Sequence, residues 1–83
     1  MGLRKEIITS LEREMVISKH AINNLKNRLK AFEDKYKIST DKFLKKFNKG
    51  ESGDREDFFK WHAFASALKE WESIYQSLKS TLS

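Results

Sequence analysis

Hydrophobic positions in this chain alternate at intervals of three and four residues in two separate stretches. The first runs Ile8, Leu11, Met15, Ser18, Ile22, Leu25, Leu29, Phe32 and Tyr36, broken only by Ser18. The second runs Trp61, Phe64, Leu68, Trp71, Tyr75, Leu78 and Leu82. A 3/4 alternation places one apolar side chain per turn on a single stripe of an α-helix, which is the seam another helix packs against. The first series predicts a helix over about 3–36 and the second a helix over about 54–82. At about 1.5 Å per residue the first is roughly 50 Å long and needs a partner along its whole seam. Ser18 reads as a tolerated small polar residue in that seam, with relief of crowding opposite a large aromatic as the alternative.

Between the two series, Ile38-Ser39-Thr40-Asp41 reads as a helix stop and restart. Ser39 or Thr40 can accept from the free N–H groups of the next turn, and Asp41 suits the positive helix end. A short helix over about 40–48 follows, with Phe43, Leu44 and Phe47 on its apolar face. Lys45, Lys46 and Lys49 precede Gly50, which suits a left-handed residue after the helix end. The run Gly50-Glu51-Ser52-Gly53-Asp54 is the loop, with Asp54 as N-cap of the last helix and Glu56 and Asp57 in its first turn. Two long helices with seams of similar length fold back most simply as an antiparallel hairpin, lidded by the short helix. The fold class is all-α, and residues 1–83 form a single helical domain.

Residues beside the seams remain: Ile7, Val16, Phe58, Phe59, Ala65 and Ile74. Fully burying a large apolar side chain is worth about 1.5–3 kcal/mol, so this surplus asks for a third surface. The short helix, a second copy giving a four-helix bundle, or another protein can supply it. The candidate partner-binding residues are Phe58, Phe59, Trp61, Trp71 and Ile74. Trp61 and Trp71 belong to the seam, and large seam aromatics read first as core. Trp and Tyr are also enriched among interface anchors.

Composition narrows the classes. The chain has 83 residues, no Pro, no Cys and three Gly. A domain of this size buries only about 60 % of the surface its unfolded chain exposes, so its stability should be marginal without help. The absence of Cys excludes disulfides and thiolate metal sites and fits a reducing, cytoplasmic setting. No apolar stretch approaches the roughly 18–20 residues of a membrane span. Charge is uneven: residues 1–50 carry thirteen Lys/Arg and six Asp/Glu, and residues 51–83 carry four and six, so the halves differ as +7 and −2. The basic residues Lys26, Arg28, Lys30, Lys42, Lys45, Lys46 and Lys49 are the candidates for nucleic-acid contact. They are mostly Lys, and no helix-turn-helix spacing or aromatic platform flanked by arginine accompanies them, so a solvated face is the first reading, an acidic protein partner the second and nucleic acid the third. His20 and His62 lack carboxylates at metal-ligand spacing, and no catalytic triad or phosphate loop appears. The expected protein is not an enzyme and takes no cofactor.

The middle of the chain carries a more specific pattern. Tyr36-Lys37-Ile38-Ser39 is followed by Phe43, Phe47 and Gly50, then Gly53-Asp54, Asp57-Phe58 and Trp61. This resembles a group of short, coiled-coil, mostly archaeal and bacterial proteins that are similar to helical antitoxin components encoded beside a toxin gene. The resemblance spans most of the chain, and residues 36–61 are its specific part. It implies a protein that binds a partner toxin, often a nuclease, and neutralises it by laying helices over it. Phe43, Phe47, Gly50, Gly53, Asp54, Phe58 and Trp61 carry over as structural positions of the motif. The chain lacks the DNA-binding region with which many antitoxins repress their own operon, so the resemblance does not extend to autoregulation.

Overall fold

The structure, a computed structural model, describes residues 2–50 and 55–82, with the backbone alone at residues 2 and 3. It contains three helices: α1 (Gly2–Tyr36), α2 (Thr40–Asn48) and α3 (Glu56–Leu82). Among the described residues there is no strand. Helices α1 and α3 form the expected antiparallel hairpin, an elongated body of 56 × 21 × 19 Å. Phe32 lies on Trp61, Arg28 over Phe64 and Lys19 over Tyr75, so the register holds along the seam.

The helix ends follow from local chemistry. Helix α1 stops because Lys37 takes a left-handed conformation (φ 58°). That turn lets the Ile38 N–H donate to the Glu33 carbonyl at 3.3 Å, satisfying one of the carbonyls a helix end leaves free. The sequence gives no glycine signal there. Ser39 is the N-cap of α2, its hydroxyl accepting from the Lys42 N–H at 3.3 Å. A second cap comes from α1, where Glu33 Oε2 accepts from the Thr40 N–H at 2.6 Å. Helix α2 ends at the expected left-handed Gly50 (φ 75°). At the start of α3 the Arg55 carbonyl accepts from the Phe58 N–H at 3.0 Å and from the Phe59 N–H at 3.4 Å. The expected loop residues Gly53 and Asp54, and the capping role of Asp54, lie outside the described residues.

The core sits at one end of the hairpin. Leu29, Phe43, Trp61 and Ala65 are buried there, with Phe32, Tyr36, Ile38, Phe58 and Leu68 packed around them. Phe43 reaches the core because the nine residues of α2 are amphipathic, with Phe43 and Phe47 on one side and lysines on the other. Two residues expected to be surplus are therefore accommodated. Ala65 is buried, and Phe58 is half-buried between Tyr36 (ring centroids 5.1 Å apart) and Phe43 (5.6 Å).

Ser18 is accommodated in the seam. It has 0 % exposure, and its hydroxyl donates to the Glu14 carbonyl at 2.8 Å. Its neighbour Lys19 lies over the Tyr75 ring, 5.9 Å from the centroid. Ile8, a seam position, is by contrast exposed. No helix among the described residues is long and apolar enough to cross a membrane.

Candidate partner-binding corner

Trp61 organises the closed end. One face of its indole lies parallel to Phe43, with centroids 4.0 Å apart and ring planes 1° apart. Phe32 (5.5 Å) and Tyr36 (5.8 Å) stack against it from α1. Its Nε1–H donates to the Thr40 hydroxyl at 3.0 Å, so the polar edge of a fully buried indole is satisfied. Thr40 thereby joins α2 to α3 through its side chain and to α1 through its amide. A buried Trp61 presents no surface to a partner, and as a candidate contact it is replaced by its role in positioning α2.

Helix α2 carries the aromatic system outward. Phe47 stacks on His62 (4.5 Å, 22°) and stands edge-on to Phe59 (5.8 Å, 89°). Phe59 is 55 % exposed, a large apolar ring in water at the end of a chain of ring contacts that begins in the core. His62 is half-buried beside the seam. Its ring contact with Phe47 accounts for it as packing. Among the described residues no three His, Cys, Asp or Glu side chains group as a metal site.

The outer surface of α2 is basic. Lys42, Lys45, Lys46 and Lys49 are exposed and spaced i, i+3, i+4, i+7, so they form one stripe. All four are among the residues that the sequence offers for nucleic-acid contact, and their spacing within α2 is what gathers them on one face. On the neighbouring side, Lys37, Lys42 and Lys46 edge a cleft of about 620 Å³ walled by Tyr36, Phe43 and Phe58. Asp57 does not offset these charges. It accepts from Lys35 Nζ at 2.7 Å and from the Tyr36 hydroxyl at 2.6 Å. These two hydrogen bonds hold the Asp57 carboxyl below its ordinary pKa, and the bond to Asp57 raises that of Lys35.

The remaining candidates do not converge on the corner. Trp71 is half-buried in the seam, and Ile74 is exposed in the other half of the hairpin. Lys26 and Lys30 are exposed on α1. Arg28 lies with its guanidinium 5.2 Å from the Phe64 ring centroid and its Nε donating to Asn24 at 3.0 Å. No family model, curated protein or solved structure matches the chain.

Proposed function

We propose that this chain is a non-enzymatic interaction module that binds an acidic surface of another protein at the α2–α3 corner and acts by covering it. The exposed Phe59, backed by Phe47 and His62 and bordered by the α2 lysines, is the observation that carries this reading. An exposed aromatic ring that already rests against a neighbour offers the apolar area an interface anchor requires. The lysines would speed encounter with an acidic partner, and desolvated aromatic contact would slow release. The resemblance over residues 36–61 narrows the partner to a toxin neutralised by steric occlusion, and that step rests on the motif alone. The four-lysine stripe of α2 favours a second reading, salt-dependent contact with nucleic-acid phosphates.

Titration separates these readings. The product of a gene adjacent to this chain's own should bind it, and Phe59→Ser combined with Lys46→Glu should weaken that binding at least tenfold. Unchanged affinity overturns the corner as the contact, and a neighbouring product that neither binds nor arrests growth overturns the toxin reading. Duplex DNA or RNA added at rising salt should show no binding of comparable strength. Binding that weakens steeply with salt would favour the phosphate reading instead.

A further inference from the structure

The two broad flanks of the hairpin differ in charge. Ile7, Glu14, Ala21 and Arg28 are seven residues apart and form one line along α1, and Lys60, Ala67, Ile74 and Thr81 form a matching line on α3. Ile7 and Thr81 share a hollow at one end, and Arg28 and Lys60 share another at the other end. The two lines therefore run side by side on one flank. On the opposite flank α2 covers Phe58 and Ala65, and beyond it the corresponding positions are Glu12, Lys19, Lys26, Glu72 and Lys79. The covered flank is thus charged wherever α2 does not reach. The uncovered flank is small and apolar at its centre, with Ile74 45 % exposed and Ile17 beside it equally so.

We propose that the uncovered flank packs against the same flank of a second copy, antiparallel about a two-fold axis at Ala21, to form a four-helix bundle. Three observations select this occupant. Glu14 and Arg28 stand seven residues to either side of Ala21, so the axis sets each Glu14 against the Arg28 of the second copy. A flank that runs the length of a body 56 Å long has room for the roughly 800 Å² per partner that a standard interface buries. The antiparallel arrangement also carries the two basic corners to opposite ends of the bundle, far beyond a Debye length of about 8 Å. The small Ala21 side chain lets the two α1 backbones approach closely. This surface is separate from the Phe59 corner and stands or falls without it.

Sedimentation equilibrium of the full chain should give twice the 9.8 kDa chain mass at micromolar concentration. Ile74→Lys should raise the dimer dissociation constant at least tenfold, with helicity by circular dichroism retained. Val16→Lys, at a residue 54 % exposed on the opposite flank, should change it less than twofold. A monomeric wild type, or equal effects of the two lysines, overturns the proposal. Because the chain has no Cys, a second measurement is free of background and independent of the first. Ala21→Cys should form a disulfide-linked dimer with oxidised glutathione at least ten times faster than Val16→Cys. Equal rates overturn the two-fold at Ala21.

Discussion

The two ends of the hairpin share one heptad pattern and reach different depths of burial. At the closed end Leu29 and Trp61 are buried and Phe32, Tyr36 and Phe64 pack on them. At the open end Leu11, Met15, Ile22 and Leu78 occupy equivalent positions yet are only half-buried, and Ile8 is exposed. Two helices in contact shield one stripe on each and leave the flanks of every seam residue wet. A third helix removes the water from one flank, and the nine residues of α2 do so for a few turns only. Ser18 is the exception that fits the same physics: it is small enough to disappear between two backbones, and its hydroxyl is satisfied by the Glu14 carbonyl. The closed end is therefore where stability resides, and the open end is where apolar surface is left over.

The largest test of this contrast replaces one tryptophan at each end. Trp61→Ala removes an indole stacked on three rings and leaves the Thr40 hydroxyl without its donor. It should cost about 3–5 kcal/mol, the usual range for a buried large aromatic. In a domain of marginal stability that is enough to abolish cooperative unfolding in urea. Trp71→Ala, at a half-buried seam position of the open half, should cost roughly half as much. Equal costs would show that burial depth does not distinguish the ends. A larger cost at Trp71 would place the stability of the hairpin at its open end.

A smaller effect separates the closed end by its electrostatics. Asp57 ties α3 to α1 through Lys35 and Tyr36, and its carboxyl is held below the ordinary 3.8. A carboxylate with a lowered folded-state pKa contributes stability that is present above its unfolded value and lost as pH falls through the folded value. The stability of the wild type should therefore decline as pH drops below about 3.8, and Asp57→Asn should flatten that part of the profile while lowering stability at neutral pH. The pair is solvated and screened, so the change should be well below that of Trp61→Ala. A profile identical in the two proteins below that pH would remove Asp57 as a link between the helices.

Much of this arrangement is legible in the chain, and the reason lies in the range over which each signal acts. The helix spans, the Ser39 cap and the left-handed Gly50 depend on residues within a turn of one another, and all three appear where the sequence places them. The flank that α2 covers depends on contacts between residues far apart in the chain, such as Thr40 with Trp61 and Phe43 with Phe58. A heptad pattern specifies a stripe and not a flank, so Phe58 and Ala65 read equally well as surplus or as the floor beneath a third helix. For the same reason the exposed Phe59 could be named from the sequence, whereas its contact with Phe47, itself stacked on His62, could not. The Glu33 side chain that caps α2 from α1 gives no local signal at all.

The finest comparison is between the two left-handed residues that bracket α2. Gly50 holds φ 75° with open space where a Cβ would stand, so a side chain there would meet only backbone strain. Lys37 holds φ 58° and already carries that strain. A left-handed conformation costs an L-residue about 1–2 kcal/mol, and glycine escapes it at an entropic cost of roughly 0.5–1 kcal/mol. Lys37→Gly should therefore raise stability by about 0.5–1 kcal/mol, and Gly50→Ala should lower it by a similar amount, both read from urea midpoints at constant slope. Opposite signs at the two positions would establish that the α1–α2 turn is strained in the folded protein and that its tight angle is set by tertiary contacts. Ile38 packing on the core and the Glu33 bond to Thr40 are the contacts strong enough to impose it. A loss of stability in Lys37→Gly would instead assign the turn to the lysine side chain, at the edge of the basic cleft, and would join the stability of the corner to the surface through which it binds.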